Sequence, residues 1–321
     1  MIIYLSAIVI GIAFLVWSAD KFVAGAASLA RNLGMSTLLI GLTVVSFGTS
    51  APEILVSITA ASMGASGMAV GNALGSNIAN IGLVMGITAL IAPLPVRASL
   101  MRKELPLLGI VTLLAGILMI DQNLGRIDGL ALLLVLAATL YLFSKIKPEA
   151  GDIELLVEEE QELPHLSMSK AVFWLIFGLI MLILSSRLLV WAATQIAMAL
   201  GISDLVIGLT IVAIGTSLPE LAASVMSALR KHHDIAIGNV IGSNIFNLLA
   251  VMSLPGIIAP YDFGKEVLWR DYGLMFLLTA LLIGLCYHSL RHPVRGKIGR
   301  ITGLILCLCY LGYLILLYLQ S

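Results

Sequence analysis

Apolar residues along this chain run in long unbroken blocks. They do not show the period-two alternation of a half-buried strand or the single stripe of a soluble helix. Blocks long enough for a helix to cross a hydrocarbon core, which takes about 20 residues, fall near 2–30, 36–62, 68–92, 104–121, 126–144, 170–200, 203–229, 234–260, 270–288 and 299–319. The pattern predicts an all-α integral membrane protein with ten transmembrane helices. Several blocks exceed the necessary length, which predicts tilt or helix ends that project beyond the lipid. The first block has no basic stretch ahead of it and no clear small-residue cleavage site after it, so it reads as a span and not as a removed signal peptide.

Composition turns that pattern into an exclusion. A chain of 321 residues would ordinarily suggest two soluble domains, yet only 11% of it is Asp, Glu, Lys or Arg and 60% is apolar. Soluble proteins carry about 25% charged residues. With a mean hydropathy of +1.07, no globule of this size could cover its apolar surface with so few charges. A soluble enzyme and a secreted module are excluded. A net charge of zero argues against a nucleic-acid partner, which needs a concentrated basic surface. Nothing in the sequence designates a protein partner, so the lipid bilayer is the expected surrounding. Cys286, Cys307 and Cys309 lie in apolar stretches and read as small buried hydrophobes, without disulfide or zinc spacing.

Charge placement orients the spans. With the N-terminus outside, the inner connections hold 13 basic residues and the outer ones only Arg126, Lys265 and Arg270. By the positive-inside rule both termini face the outer, periplasmic side of the cell (inner) membrane, and the central loop faces the cytoplasm. That loop, 145–169, is acidic through Glu149, Asp152, Glu154, Glu158, Glu159, Glu160 and Glu162. It reads as a solvated linker, with a weak regulatory cation site as the alternative.

Shifted by 167 residues, the chain matches itself. Gly48-Thr49-Ser50-Ala51-Pro52-Glu53 falls on Gly215-Thr216-Ser217-Leu218-Pro219-Glu220, Gly71-Asn72 on Gly238-Asn239, and Gly75-Ser76-Asn77-Ile78 on Gly242-Ser243-Asn244-Ile245. From Gly34 to Asn80, 23 of 47 positions are identical without a gap. Shared apolar bias would align Leu with Ile, but not Gly, Pro and polar residues in register. Five spans per copy is an odd number, so the two copies must point in opposite directions, as in transporters built from inverted repeats. The expected division is a five-helix repeat over 1–144, the loop 145–169 and a second five-helix repeat over 170–321.

The polar residues of both copies concentrate in four spans. Thr49, Ser50 and Glu53 share a helix face, and Pro52 among them has no N–H to offer the Gly48 carbonyl. Thr216, Ser217, Pro219 and Glu220 repeat the arrangement and free the Gly215 carbonyl, which must then face a cavity, water or an ion. Asn72, Ser76 and Asn80 form a stripe at intervals of four, as do Asn239, Ser243 and Asn247. By themselves these Asn and Ser residues serve equally as interhelical contacts or as ligands. The pairs Gly71/Gly75 and Gly238/Gly242 predict close helix packing.

Glu53 and Glu220 tip the balance. A carboxylate deep in a span costs about 2.5–3.5 kcal/mol even on the lenient insertion scale. Lys21 and Arg187 sit near span ends, where they can snorkel. Asp20 and Arg187 are repeat-equivalent and can instead pair with each other. That leaves no intramembrane cation for the two glutamates, so a bound ion is the expected counter-charge. All the candidate ligands are oxygens, since His165, His232, His233, His288 and His292 lie in loops or at span ends. Oxygen ligands favour a hard cation such as Ca²⁺. Two carboxylates balance one Ca²⁺ or two Na⁺, and protons can compete for them. An intramembrane hydrolase would need a nucleophile with a paired base, which is missing. A passive channel would not need broken helices in both halves.

The motifs GTSAPE with GNALGSNIAN and GTSLPE with GNVIGSNIFN resemble the two alpha-repeats of the Ca²⁺/cation antiporter superfamily, in its prokaryotic sodium/calcium exchanger branch. The resemblance extends over essentially the whole chain. It implies four cation sites in a diamond among the second, third, seventh and eighth spans, one for Ca²⁺ and the others open to Na⁺. It implies Glu53 and Glu220 as shared carboxylates, with Thr49, Ser50, Ser76, Asn80, Thr216, Ser217, Ser243 and Asn247 supplying further oxygens. The backbone carbonyls of Ser46 and Ala213 complete the set of metal ligands. The first and sixth spans would slide against the other eight. The implied function is antiport of Ca²⁺ against Na⁺ by alternating access, with no cofactor and no enzymatic step; the alternative is coupling to H⁺, or a K⁺ requirement. Some relatives carry an acid at one of the positions held here by Asn80 and Asn247. Two central carboxylates in place of three leave the coupling ion open.

Overall fold

The computed structural model describes residues 2–145, 165–201, 211, 213–290 and 296–320. Helices dominate. In chain order they are α1 (Ile2–Leu33), α2 (Thr37–Thr49), α3 (Ala51–Ser62), α4 (Ser66–Ile91), α5 (Ala98–Arg102), α6 (Glu104–Met119), α7 (Arg126–Lys145), α8 (Met168–Ala199), α9 (Ala213–Thr216), α10 (Leu218–Leu229), α11 (His233–Ile258), α12 (Val267–Ser289) and α13 (Arg300–Gln320). Seven of these are long and apolar enough to cross a membrane, and eight if α2 and α3 count as one span bent by 43°. The spans expected near 104–121 and 203–229 correspond to the 16-residue α6 and to the short α9 with the 12-residue α10, residues 202–210 and 212 lying outside the description. The acidic stretch Glu149–Glu162 likewise lies outside the described residues.

The 167-residue offset recurs in the element bounds. Ala51–Ser62 matches Leu218–Leu229, and Ser66–Ile91 matches His233–Ile258. Gly34 and Gly201, at the same offset, terminate α1 and α8 with φ of +64° and +77°, a left-handed conformation that glycine adopts without strain. Local chemistry sets the next start: the Ser36 hydroxyl accepts from the Leu39 N–H at 3.2 Å and caps α2.

Burial separates the helices by role. The most hydrophobic stretches of α4 and α11 are 72% and 94% buried, against 22% and 28% for α1 and α8. The first two form the centre; the exposed apolar faces of the others suit lipid. α1 and α8, each 32 residues long, pack against each other in opposite senses. A Cβ placed on Gly11 would lie 2.8 Å from the Leu189 side chain, one on Gly178 would lie 2.8 Å from the Phe22 Cα, and one on Gly25 would lie 2.9 Å from the Ala171 carbonyl oxygen. This antiparallel crossing corrects the pairing of Asp20 with Arg187. Position 20 meets the stretch around Gly178, so Arg187 is several residues, about 10 Å along the axis, too far away. Arg187 is exposed. Asp20 instead pairs with Arg230 at the end of α10 and with Lys21, whose Nζ lies 3.5 Å from Asp20 Oδ2 and 5.5 Å from the centre of the Trp174 ring.

Two features escaped the helical pattern. Short antiparallel ribbons join β1 (Leu94–Pro95) to β4 (Lys297–Ile298), and β2 (Asn123–Leu124) to β3 (Tyr261–Asp262). π-helical turns interrupt α2 at Gly41–Val45, α4 at Asn80–Met85 and α11 at Asn247–Val251, and one opens α12 at Val267–Tyr272. Cys286 is buried and Cys307 and Cys309 are half-buried, all unpaired.

The close helix contact expected at Gly238 and Gly242 is present: a Cβ on Gly238 would stand 2.7 Å from the Leu38 carbonyl oxygen and 3.0 Å from the Gly41 Cα. No described atom comes within 4 Å of a Cβ on Gly71 or Gly75. The residues that the repeat would place there, near 205–209, lie outside the description. Gly238→Ala should therefore cost about 1–3 kcal/mol through overpacking. Thermal unfolding of the detergent-purified variant measures this, with Gly284→Ala, where nothing stands within 4 Å, expected to be near neutral.

Candidate functional site

The two helix breaks have the same local cause. Ser50 (φ −83°, ψ 2°) and Ser217 (φ −88°, ψ 4°) leave helical geometry immediately before α3 and α10, whose second residues are Pro52 and Pro219. Each proline tolerates a first helical turn and forbids a continuous helix through it. The break sets Glu53 and Glu220 in the first turns of α3 and α10, where the helix dipole favours negative charge. Both are fully buried, at 0% and 1% exposure.

A network joins the halves around them. Ser50 donates to Glu220 Oε1 at 3.3 Å. Thr49 donates to Asn239 Oδ1 at 3.0 Å and lies 3.4 Å from both the Ser243 hydroxyl and the Ser46 carbonyl. Glu53 and Glu220 are close enough to interact electrostatically. The structure thus brings Ser46, Thr49, Ser50, Glu220 and Ser243 into one bonded group, with Glu53 beside it. The Ser46 hydroxyl turns away to the Leu42 carbonyl at 2.7 Å, leaving its own carbonyl as the group that faces Thr49.

A second set is buried there but unbonded among the described residues. Both Glu53 oxygens, Glu220 Oε2, the Ser217 hydroxyl and all four amide atoms of Asn80 and Asn247 have no hydrogen-bond partner. Ser76 is buried as well. Polar atoms left bare in a dry interior cost about 1–3 kcal/mol each. Asn80 and Asn247 also open the π-helical turns of α4 and α11, a geometry common at functional sites. Thr216 is half-buried and lines a cavity of about 250 Å³ together with Pro52, Val56, Arg187, Val190 and Pro219. Ala213 opens the short α9. Among the described residues no three His, Cys, Asp or Glu side chains cluster, so the acids of this group are Glu53 and Glu220 alone.

The residue freed by Pro219 does line a cavity, since Gly215 borders the space of about 250 Å³ beside Thr216. Its carbonyl also has a partner that the sequence did not point to: the Ser186 hydroxyl of α8 donates to it at 2.8 Å. Of the residues that hold the carboxylate turns in place, the sequence pointed to Asn72 and Asn239, as contacts or ligands, and passed over Ser57 and Ser224. Asn72 Nδ2 donates to the Glu53 carbonyl at 3.1 Å and to the Ser57 hydroxyl at 3.2 Å. Asn239 Nδ2 donates to the Glu220 carbonyl at 3.2 Å and to the Ser224 hydroxyl at 2.9 Å. All four of these residues are identities of the internal repeat, and that was the available signal.

The class of molecule is set by these features together: a membrane-embedded helical bundle with a buried, duplicated acidic site at paired helix breaks. The family model of the sodium/calcium exchanger protein matches residues 3–145 and 170–319, and this chain belongs to that family. Its members are transporters and not enzymes. The inner membrane protein YrbG of Escherichia coli (strain K12) is 39% identical over 94% of each chain, and the sodium/calcium exchanger MaX1 of Methanosarcina acetivorans is 30% identical over 97% of each. Among solved structures, the sodium-calcium exchanger NCX_Mj soaked with zero Na⁺ and Ca²⁺ aligns with a TM-score of 0.83 at 32% identity, over 98% of this chain and 99% of that one.

Asn239 makes three hydrogen bonds, including one across the halves, whereas the bonds found for Asn72 stay within its own half. Asn239→Ala should therefore lower thermal stability by about 1–3 kcal/mol, and more than Asn72→Ala does. Paired melting curves of the purified variants test that order.

Proposed function

We propose that this protein is a secondary antiporter that exchanges Ca²⁺ for Na⁺ at the Glu53/Glu220 centre by alternating access. The observation that carries the reading is the set of bare buried oxygens around two carboxylates whose joint charge matches one Ca²⁺ or two Na⁺. Glu53 and Glu220 are the shared anionic ligands. Thr49, Ser50, Thr216, Ser217, Ser76, Asn80, Ser243 and Asn247 supply neutral oxygens, with the carbonyls of Ser46 and Ala213. Both cations compete for the same carboxylates, so the site cannot stay loaded with both, and that competition is the basis of exchange. With an inward sodium gradient, the expected direction is Ca²⁺ extrusion.

The architecture in this reading is ten spans in two inverted five-helix repeats, 1–144 and 170–321, with 145–169 as a cytoplasmic loop and both termini on the outer face of the inner membrane. Support comes from the recurrence of element bounds at one offset, and from α1 packing antiparallel to its own repeat copy α8. The α1/α8 pair is the element that would slide to alternate access.

A second reading, coupling to H⁺, is favoured by one observation: Asn80 and Asn247 are both neutral, so two carboxylates alone share the load. Proteoliposomes loaded with Ca²⁺ and given Na⁺, K⁺ and pH gradients separately discriminate the two. Ca²⁺ movement driven by Na⁺ is expected, and movement driven only by pH would replace sodium with protons. Glu53→Gln and Glu220→Gln should each abolish Ca²⁺ exchange while leaving expression largely intact; full transport in both variants places the site elsewhere. Asn247→Asp should alter ion selectivity or coupling more than folding. Unchanged Na⁺ and Ca²⁺ dependence would remove that position from the determinants.

A further inference from the structure

The contacts within and between the two halves are not symmetric. Some have a chemically equivalent counterpart at the repeat offset. Ser50 donates to Glu220, and Ser217 stands ready for Glu53; Asn77 Nδ2 donates to the Asn244 carbonyl at 3.2 Å, and Asn244 has an unpartnered amide of its own. If the opposite access state is one in which each half adopts the other's arrangement, such contacts re-form there with roles exchanged. Of the contacts by which α1 and α8 hold the broken helices, two cannot. The counterpart of the Asp20–Arg230 ion pair is Arg187 with Met63, and the counterpart of the Ser186 bond to the Gly215 carbonyl is Ala19 with Gly48. Met63 has no charge and Ala19 has no hydroxyl.

Both unmatched contacts run from the α1/α8 pair to the same broken helix. Asp20 of α1 holds the far end of α10, and Ser186 of α8 holds the joint beside Thr216 and Ser217. The cavity that reaches Thr216 and both prolines lies on the Arg187 side, where the matching ion pair is missing. The pocket at the Asp20 end, about 240 Å³, is lined by none of the residues at the helix breaks. We propose that Asp20–Arg230 and Ser186–Gly215 form a one-sided clamp that biases the carrier toward the state in which the binding centre opens along Arg187. This rests on the reading of inverted repeats and alternating access given above. A contact present in one state alone shifts the equilibrium by as much as it contributes there.

The test reads cavity access and not transport. A Val56→Cys reporter, in a chain with Cys286, Cys307 and Cys309 replaced by Ala, is labelled with a hydrophilic maleimide in lipid nanodiscs. Asp20→Asn and Ser186→Ala should each slow labelling by about two- to fivefold, the effect of losing a partly exposed ion pair or one hydrogen bond. Adding Arg230→Gln to Asp20→Asn should slow it no further, because the pair is already broken. Met63→Glu gives Arg187 an acid at the counterpart of Arg230 and should also slow labelling; Met63 is 79% exposed, so this variant does not depend on a repacked core. Labelling rates that stay unchanged in Asp20→Asn, Ser186→Ala and Met63→Glu overturn the clamp. Clamp-dependent labelling in a protein that shows no Na⁺-driven Ca²⁺ flux would sink the proposed ion coupling and leave the clamp standing.

Discussion

Burying two carboxylates where water cannot reach them is the constraint on which the rest of this structure depends. An isolated charge at that depth is costly, and among the described residues no lysine or arginine is buried with the two acids. What the fold supplies is a set of partial compensations: two helix N-termini aimed at the acids, side-chain amides that fix the turns carrying them, and hydroxyls from the opposite half. Those compensations fall short, since both oxygens of Glu53 have no partner among the described residues. A binding centre that satisfied itself completely would have no use for an ion.

The same deficit explains the division of labour among the helices. α4 and α11 are buried almost throughout because they carry the amide and hydroxyl stripes and must present them to the acids. α1 and α8 lie outside them, with apolar faces toward lipid and glycines toward each other. A long, smooth, glycine-lined contact with few polar attachments resists sliding less than an interdigitated one. In the proposed transport cycle that would put the sliding pair where polar cost is lowest and the static helices where it is highest.

Much of this was legible in the sequence for a simple reason: membrane helices write their length in apolar residues, and a duplicated site writes itself twice. Glu53 and Glu220, the broken spans at Pro52 and Pro219, and the tight approach at Gly238 all follow from residue type and register. What could not be read depended on which faces meet. The Asp20–Arg187 pairing was reasonable from repeat equivalence and failed because antiparallel copies place equivalent residues at opposite ends. Ser186 at the Gly215 carbonyl and Asn239 at the Glu220 turn are tertiary contacts with no local signature. The π-helical turns at Asn80 and Asn247 are likewise silent, since neither proline nor glycine marks their first residue.

The two small ribbons carry a consequence of their own. Leu94–Pro95 and Asn123–Leu124 belong to the first half, yet neither pairs with the other; each finds its partner in the second half, at Lys297–Ile298 and Tyr261–Asp262. Each half therefore offers two short strand edges that its sister completes, and neither closes its own ends. If the two repeats proposed above are taken as units, the ribbons stitch them together at two separate places, so that either would be finished only by the other.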